Sequence, residues 1–323
     1  MPAYRYVFGP VPSRRFGRSL GVDLTPLKTC SFDCIFCQLG PTPSQTLERR
    51  EYVPAEAVQA ELLRWRDEGG QADVVTLSGS GEPTLHARFG EVLQFAKQEL
   101  PCPAVLLTNG SLLYLPEVRE AAGHADMAKI SLSAWDDASF RQINRPHPDL
   151  DFERSVAGLR EFRRGFSGSI WLEVFLVASL NDAPENVDRI AALAESIAPD
   201  KIQLNTAVRP PAESSVRPVD RETLEALAAR FRPRAEVIAD FSVRPGSAVA
   251  VNETGILDLL RRRPCTAQQI ADVFGMHLNE VAKYTGLLLR ENRIQALPRG
   301  GEIYYEASRA GHPAATETEK PTR

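Results

Sequence analysis

From about residue 20 to about residue 243, short aliphatic and β-branched runs alternate with stretches in which apolar residues recur every three or four positions. The first pattern predicts buried strands and the second amphipathic helices. Strands are expected at Leu20–Leu24, Asp73–Ser78, Ala104–Thr108, Met127–Ser133, Ser169–Val177 and Lys201–Leu204, with a weaker one at Val237–Val243. Helices are expected at Ala55–Glu68, Arg88–Leu100, Pro116–Ala122, Phe152–Phe166, Pro184–Ile197 and Arg221–Phe231. Pro54 and Pro116 suit the first helical turn, where a missing N–H costs nothing. Asp182-Ala183-Pro184-Glu185 has the form of a capping box with a carboxylate in place of the hydroxyl.

Strand–helix alternation builds a parallel sheet with right-handed crossovers. Six units are too few for a closed eight-unit barrel. The expected fold class is therefore α/β, a partial (β/α)6 TIM-like barrel over residues 1–247, with functional groups on the loops leaving the strand C-termini. After Arg244-Pro245-Gly246 the pattern changes to helices at Ile256–Arg262, Ala267–Phe274 and Leu278–Glu291, then a hairpin at Arg293–Tyr305 around Arg299-Gly300-Gly301. Thr266-Ala267-Gln268-Gln269 is a capping box for the second of these helices. Three short helices and a hairpin predict a C-terminal winged helix-turn-helix domain over residues 248–308. The polar stretch Gly311–Arg323 marks a disordered tail over 309–323.

Composition narrows the function. The chain has 323 residues, 43% hydrophobic and 25% charged, with a net charge of -4. That describes a soluble globular protein and excludes one that coats nucleic acid by bulk charge. No apolar run is long enough to span a membrane, and the start lacks the apolar core of a secretory signal. A cytoplasmic protein is expected.

The five cysteines carry the chemistry. Cys30, Cys34 and Cys37 lie within eight residues, whereas Cys102 and Cys265 are remote. In a reducing compartment such crowding reads as metal ligation rather than a disulfide framework. Three local thiolates suit a [4Fe–4S] cluster with one iron left open for a substrate or cofactor. A zinc knuckle would want four closed nitrogen or sulfur ligands, and no histidine lies nearer in sequence than His86.

The Cys30-x-x-x-Cys34-x-x-Cys37 spacing, with Phe36 before the last cysteine, resembles the radical S-adenosylmethionine (radical SAM) superfamily. The resemblance implies an enzyme whose three thiolates hold a [4Fe–4S] cluster with S-adenosylmethionine on the fourth iron. A flavodoxin- or ferredoxin-type reductant would supply one electron, and cleavage would give a 5′-deoxyadenosyl radical that abstracts hydrogen from a substrate. Ser78-Gly79-Ser80-Gly81-Glu82-Pro83-Thr84 resembles the superfamily's Gly-Gly-Glu motif, with Ser80 in place of the first glycine. Gly79, Ser80, Gly81 and Glu82 are thus candidate cofactor contacts, as a turn that lets backbone approach a ligand. Asn109 ends the third strand, and Ser131 and Ser133 end the fourth; each is a candidate for cofactor contact or for local turn and backbone bonding. Asn181-Asp182 reads first as a helix cap, and Gln203 and Asn205 as contacts to substrate or adenine. The Arg141–His147 segment and Arg14-Arg15-Phe16-Gly17-Arg18 offer forks for an anionic group; the second could equally pack across the barrel opening.

The run Phe8–Gly21, Thr29–Cys34, the Ser-Gly-Ser-Gly-Glu-Pro-Thr loop and Asn144-Arg145-Pro146 are more particular. Together they look like the iron–sulfur oxidoreductases related to the wyosine-forming tRNA enzymes. Those enzymes use a second cluster held by cysteines upstream, and here no cysteine precedes Cys30. Relatedness is implied, wyosine synthesis is not. The substrate class expected is RNA or a nucleotide-like molecule, with a protein or peptide next. A winged-helix nucleic-acid-binding regulator with a structural metal site is the reading from another class. In helix Leu278–Glu291 the formal charges of Glu280, Lys283, Arg290 and Glu291 cancel, which is poor for sequence-specific DNA binding.

Overall fold

A computed structural model describes residues 4–239, except 14, 27, 38, 40, 44, 208–210 and 214, and residues 253–308, except 275–280, 282, 283, 286, 287, 290, 300 and 301. The chain divides into two compact units, Met1–Val249 and Ala250–Arg323. No helix among the described residues is long and apolar enough to cross a membrane.

The first unit is built on one sheet whose strands lie side by side in chain order: β1 (Val7–Ser13), β2 (Gly17–Val22), β3 (Val74–Leu77), β4 (Ala104–Thr108), β5 (Met127–Ser131), β6 (Ser169–Leu176), β7 (Lys201–Thr206) and β8 (Glu236–Val237). β1 pairs antiparallel with β2, and every later pair is parallel. The crossovers carry α1 (Ala55–Asp67), α2 (Phe89–Glu99), α3 (Pro116–Ala122), α4 (Asp137–Ile143), α5 (Phe152–Gly165), α6 (Pro184–Ile197) and α7 (Arg221–Ala228).

All these crossovers fall on one side. Leu62, Leu93, Val118, Phe162, Ile190 and Leu224 of the helices join one core with Leu20, Leu77, Leu106, Ile130, Leu172 and Leu204 of the strands. Helices on a single face distinguish a barrel from a doubly wound sheet, which has them on both. Side chains alternate across a strand, so the intervening positions line the opposite, inner face. There Phe16, Val74 and Val105 pack with Leu107, Met127 and Trp171, Phe16 stacking on Trp171 at 5.1 Å between ring centroids. Arg15, in the β1–β2 turn, reaches Glu173 on β6. In a flat sheet β2 and β6 would stand four strand spacings, roughly 19 Å, apart. The sheet must therefore curl, which is consistent with a partial barrel of six strand–helix units.

Four local readings change. β1 is a strand despite Gly9, Pro10 and Pro12; it is an edge strand with an irregular register between Phe8 and Val11, where such residues are tolerated. α4 occupies what reads as a long loop. It is opened by a capping box in which Asp136 accepts the Ser139 N–H at 2.8 Å and Ser139 Oγ accepts the Asp136 N–H at 3.1 Å. The box expected at Asp182–Glu185 is not formed. Ala183 is the N-cap without a side-chain bond, and Asp182 accepts the Ser179 N–H at 2.8 Å instead. Pro116 does open α3, while Pro54 sits one place earlier, at the N-cap of α1.

The second unit contains α8 (Glu253–Arg262), β9 (Cys265–Thr266), α9 (Ala267–Phe274), β10 (Ile294–Arg299) and β11 (Glu302–Ala307), the strands forming an antiparallel sheet in the order β10-β11-β9. The Thr266–Gln269 capping box is present, its two reciprocal bonds measuring 3.1 and 3.2 Å. The helix expected over Leu278–Glu291 lies largely outside the described residues, as do residues 240–243 of the weak strand and all of 309–323.

Candidate functional site

The cysteine-bearing loop leaves the C-terminal end of β2 and is held from three directions. Toward β3, the Lys28 N–H donates to the Ser80 carbonyl at 2.7 Å and the Glu82 N–H to the Thr29 carbonyl at 2.9 Å. Gly81 lies so close that a β-carbon would stand 2.0 Å from the Thr29 carbonyl oxygen, so no other residue fits. From the loop after α4, the Asn144 and Arg145 carbonyls accept the Asp33 N–H at 3.1 and 3.0 Å, and the His147 N–H donates to the Ser31 carbonyl at 2.8 Å. Above β6, Phe36 stacks on Phe175 with centroids 4.1 Å apart and planes 10° apart.

Cys30, Cys34 and Cys37 are free thiols, and each sulfur faces one side-chain N–H donor. Asn109 Nδ2 is 3.6 Å from Cys30 Sγ, Asn144 Nδ2 is 3.5 Å from Cys34 Sγ, and Lys28 Nζ is 3.1 Å from Cys37 Sγ. Burial, then the nearby Glu82 carboxylate, pushes the Cys30 thiol up to about 12. Burial likewise pushes Cys34 up, reinforced by the other two cysteines, against the Asn144 bond. Buried sulfurs crowded together resist ionisation on their own, and a coordinated cation is what deprotonates such a set. A zinc site gathers its ligands around one ion. No group of three or more His, Cys, Asp or Glu side chains among the described residues is gathered in that way. A cluster asks for less, since each thiolate binds its own iron.

The sequence-predicted residues divide by what they touch. Asn109, Ser131 and Ser133 line an open cavity beside the cysteine loop, with Phe32, Phe140 and Asn144 among its other walls. The hydroxyl oxygen of Ser133 accepts the Phe175 N–H at 3.0 Å, the local backbone role. Asn181 caps no helix; it accepts the Val177 N–H at 2.7 Å and donates to the Ser133 and Phe175 carbonyls, both at 2.9 Å. Glu82 is fully enclosed, its carboxylate accepting from Thr84 Oγ1 and Thr108 Oγ1 at 2.6 Å each and from the Asn109 N–H at 2.8 Å. Burial still pushes its carboxyl up. It ties the ends of β3 and β4 together. Gly79 has φ +141°, with a hypothetical β-carbon 2.5 Å from Asp23 Cγ. Asp23 takes the Ser80 N–H at 3.0 Å and the Ser80 hydroxyl at 2.5 Å, which accounts for a serine at the motif's first glycine.

Apart from Arg15, the described arginines of the two segments each pair with a carboxylate of their own. Arg141 pairs with Asp137 at 2.7 Å, and Arg145 with Glu213 at 2.7 Å and Asp33 at 3.8 Å. Arg18 pairs with Asp73 at 3.0 Å; with Phe16 on Trp171, the second arginine run packs across the opening opposite the cysteines, and Arg14 lies outside the described residues. Lys28 and Asp23 are neighbours of the site whose places depend on tertiary contacts and carry no periodic or motif signal, whereas Asn144 lies in the Asn144-Arg145-Pro146 motif, which does not show that it meets Cys34.

The model of the radical SAM superfamily matches residues 24–194. A UPF0026 protein of Helicobacter pylori is 33% identical over 312 residues, 93% of this chain and 96% of its own length. A protein of Brachyspira hyodysenteriae named GTPase Obg is 34% identical over 303 residues, 93% of this chain; the chain spans 45% of that protein's length. A radical SAM methyltransferase from Sphaerobacter thermophilus shares the fold with a TM-score of 0.51, covering 68% of this chain and 65% of its own at 17% identity. With the sequence match running over more than half its length, the chain belongs to the radical SAM superfamily, iron–sulfur enzymes that use a [4Fe–4S] cluster and S-adenosylmethionine and need an external reductant.

Proposed function

We propose that Cys30, Cys34 and Cys37 hold the [4Fe–4S] cluster and that the cavity beside them takes S-adenosylmethionine. The observation that carries this reading is the pairing of three free thiols on one clamped loop with three separate N–H donors. Cys30, Cys34 and Cys37 would hold the cluster, which would supply the one-electron reduction of S-adenosylmethionine that leads to hydrogen abstraction from the substrate. Lys28, Asn109 and Asn144 then stabilise thiolate charge by hydrogen bonding. The Phe36–Phe175 stack and Phe32 keep water from the sulfurs. The backbone of Gly79 and Gly81, with Asn109 and Ser131, contacts the bound cofactor, while Ser80, Glu82 and Ser133 hold that backbone in place. A flavodoxin- or ferredoxin-type protein in the cytoplasm delivers the electron.

The wyosine-related motifs favour RNA or a nucleotide-like molecule as the substrate class, with a protein or peptide next. We assign the C-terminal unit as a winged helix that contacts protein or positions substrate; its helices α8 and α9 and the β10–β11 hairpin support that reading. The test is anaerobic reconstitution of the full chain with iron and sulfide, then dithionite and S-adenosylmethionine. The proposal expects 5′-deoxyadenosine from the intact protein, and loss of the cluster's absorption and iron in Cys34→Ala. Unchanged iron content in that variant, or no 5′-deoxyadenosine from cluster-loaded protein, overturns it.

A further inference from the structure

Above the apolar layer of Phe16, Val105 and Trp171, the inner face of the sheet carries a charged layer that the cysteine site does not use. Glu173 on β6 accepts hydrogen bonds from Arg15, from Lys129 on β5, and from Asn205 Nδ2 on β7 at 2.8 Å. Two cations on one carboxylate leave this triad with one formal positive charge in excess. Donors are also left over. The Lys129 ammonium has three N–H groups, and among the described residues its one hydrogen bond goes to Glu173. Arg15 Nε is buried without a partner. Gln203, level with Glu173 in the β6–β7 register and 2% exposed, has a buried Oε1 without a partner.

An unpaired buried polar atom is costly, and a buried ion pair adds little net stability over an apolar filling. The layer directly beneath shows that this sheet can fill its interior with aromatic and aliphatic side chains. A set that keeps surplus cationic donors and one open acceptor has the chemistry of a ligand site. The ligand must bring what is missing: anionic oxygens for Lys129 and Arg15, and a hydroxyl or amine hydrogen for Gln203.

We infer that Arg15, Lys129 and Gln203 bind the anionic end of the substrate, a small organic carboxylate or phosphate ester that also carries a hydrogen-bond donor. This rests on the proposed function only in naming the bound molecule as the substrate. Glu173 and Asn205 act as positioning residues that hold the two cations apart. A carboxylate and a phosphate ester share this chemistry, and the experiment separates them.

Calorimetric titration of the anaerobically reconstituted protein, with S-adenosylmethionine and without reductant, uses glycolate, acetate, glycerol phosphate and the neutral glycolamide as probes. Glycolate or glycerol phosphate binds, whichever matches the natural anion, and glycolamide binds at least about tenfold more weakly, as loss of a charge-assisted bond requires. Lys129→Met weakens the preferred anion at least about tenfold. Gln203→Met, which keeps the fold's charges intact, weakens glycolate or glycerol phosphate about threefold to tenfold and leaves acetate within about twofold. Absence of anion binding to the wild-type protein overturns the inference, as does equal binding by wild type and Gln203→Met. Formation of 5′-deoxyadenosine in a parallel reduced sample reports the radical chemistry separately, so the two readings fail independently.

Discussion

The two faces of the sheet are built from the same strands to opposite specifications. On the helix-facing side, Leu20, Leu77, Leu106, Ile130, Leu172 and Leu204 are all fully buried aliphatics in one continuous core. On the inner side the same strands, one residue out of phase, present Ser19, Thr76, Lys129, Glu173, Gln203 and Asn205, also buried. Burial therefore does not separate them; chemistry does. The outer face gains from removing apolar surface from water, about 25 cal/mol per Å2. Above its apolar layer the inner face forgoes that gain to keep polar groups enclosed; some satisfy one another, as in the 2.8 Å contact between the Ser19 and Thr76 hydroxyls, while Arg15 Nε and Gln203 Oε1 are left without a partner. Stability resides mainly in one face and binding capacity in the other.

The comparison breaks most visibly at Glu173. Replacing it with alanine leaves Arg15 and Lys129 buried side by side with no carboxylate between them. Removing one partner of a buried ion pair costs about 3–5 kcal/mol, and the expected result is a loss of that size in chemical denaturation. A change below about 1 kcal/mol would mean that the inner face is wet and its charges loosely held.

The same residue sets an acid dependence. Burial alone would raise the Glu173 carboxyl, but the Arg15 and Lys129 charges hold it down at about 2, against an ordinary value of 4.5. A depressed folded-state value gives stability that is present above about pH 4.5 and is lost as the pH falls toward 2. The loss amounts to about 3 kcal/mol. Glu82, buried among neutral donors, works with the opposite sign: its raised value favours the folded state at low pH and ceases to do so as the pH rises through that value. Denaturant midpoints of wild type, Glu173→Gln and Glu82→Gln between pH 2 and pH 7 check both signs. Glu173→Gln flattens the acid slope, and an unchanged slope would show that the carboxylate is not held by its two cations.

This division explains what could be read from the sequence. The outer face is legible because its period is local: Ala104–Thr108, Pro116–Ala122 and Pro184–Ile197 emerge with the boundaries the pattern predicts. The cysteine triplet and the Ser-Gly-Ser-Gly-Glu loop are legible because each is contiguous. The inner face is legible only in part: Gln203, Asn205 and the Arg15 run stand out as candidates, but a polar residue in a strand reads the same whether it meets water or a partner, so Lys129 and Glu173 do not. Arg15 and Glu173 are 158 residues apart in the chain, and Asn144 and Cys34 are 110 apart. Their pairings follow from the curl of the sheet and the fold-back of the loop after α4, which no window of sequence contains. β1 was hidden for another reason: its prolines and glycine count against a strand everywhere except at an edge.

The smallest effect tests the outer face and sharpens the contrast. Ile130 lies between Lys129 and Ser131, its side chain in the helix-facing core while its neighbours face inward. Ile130→Val removes the terminal methyl and keeps Cγ2, the atom that a β-carbon on Gly110 would meet at 2.7 Å. The turn carrying Asn109 toward Cys30 thus keeps its support. Such a truncation costs about 0.5–1.5 kcal/mol, and the expected outcome is that loss in a denaturant titration, with iron per chain and anion affinity both equal to wild type. If instead iron content fell with stability, the two faces would be mechanically coupled through the Asn109 turn, and the outer core would set the geometry of the cysteine loop as well as hold the sheet.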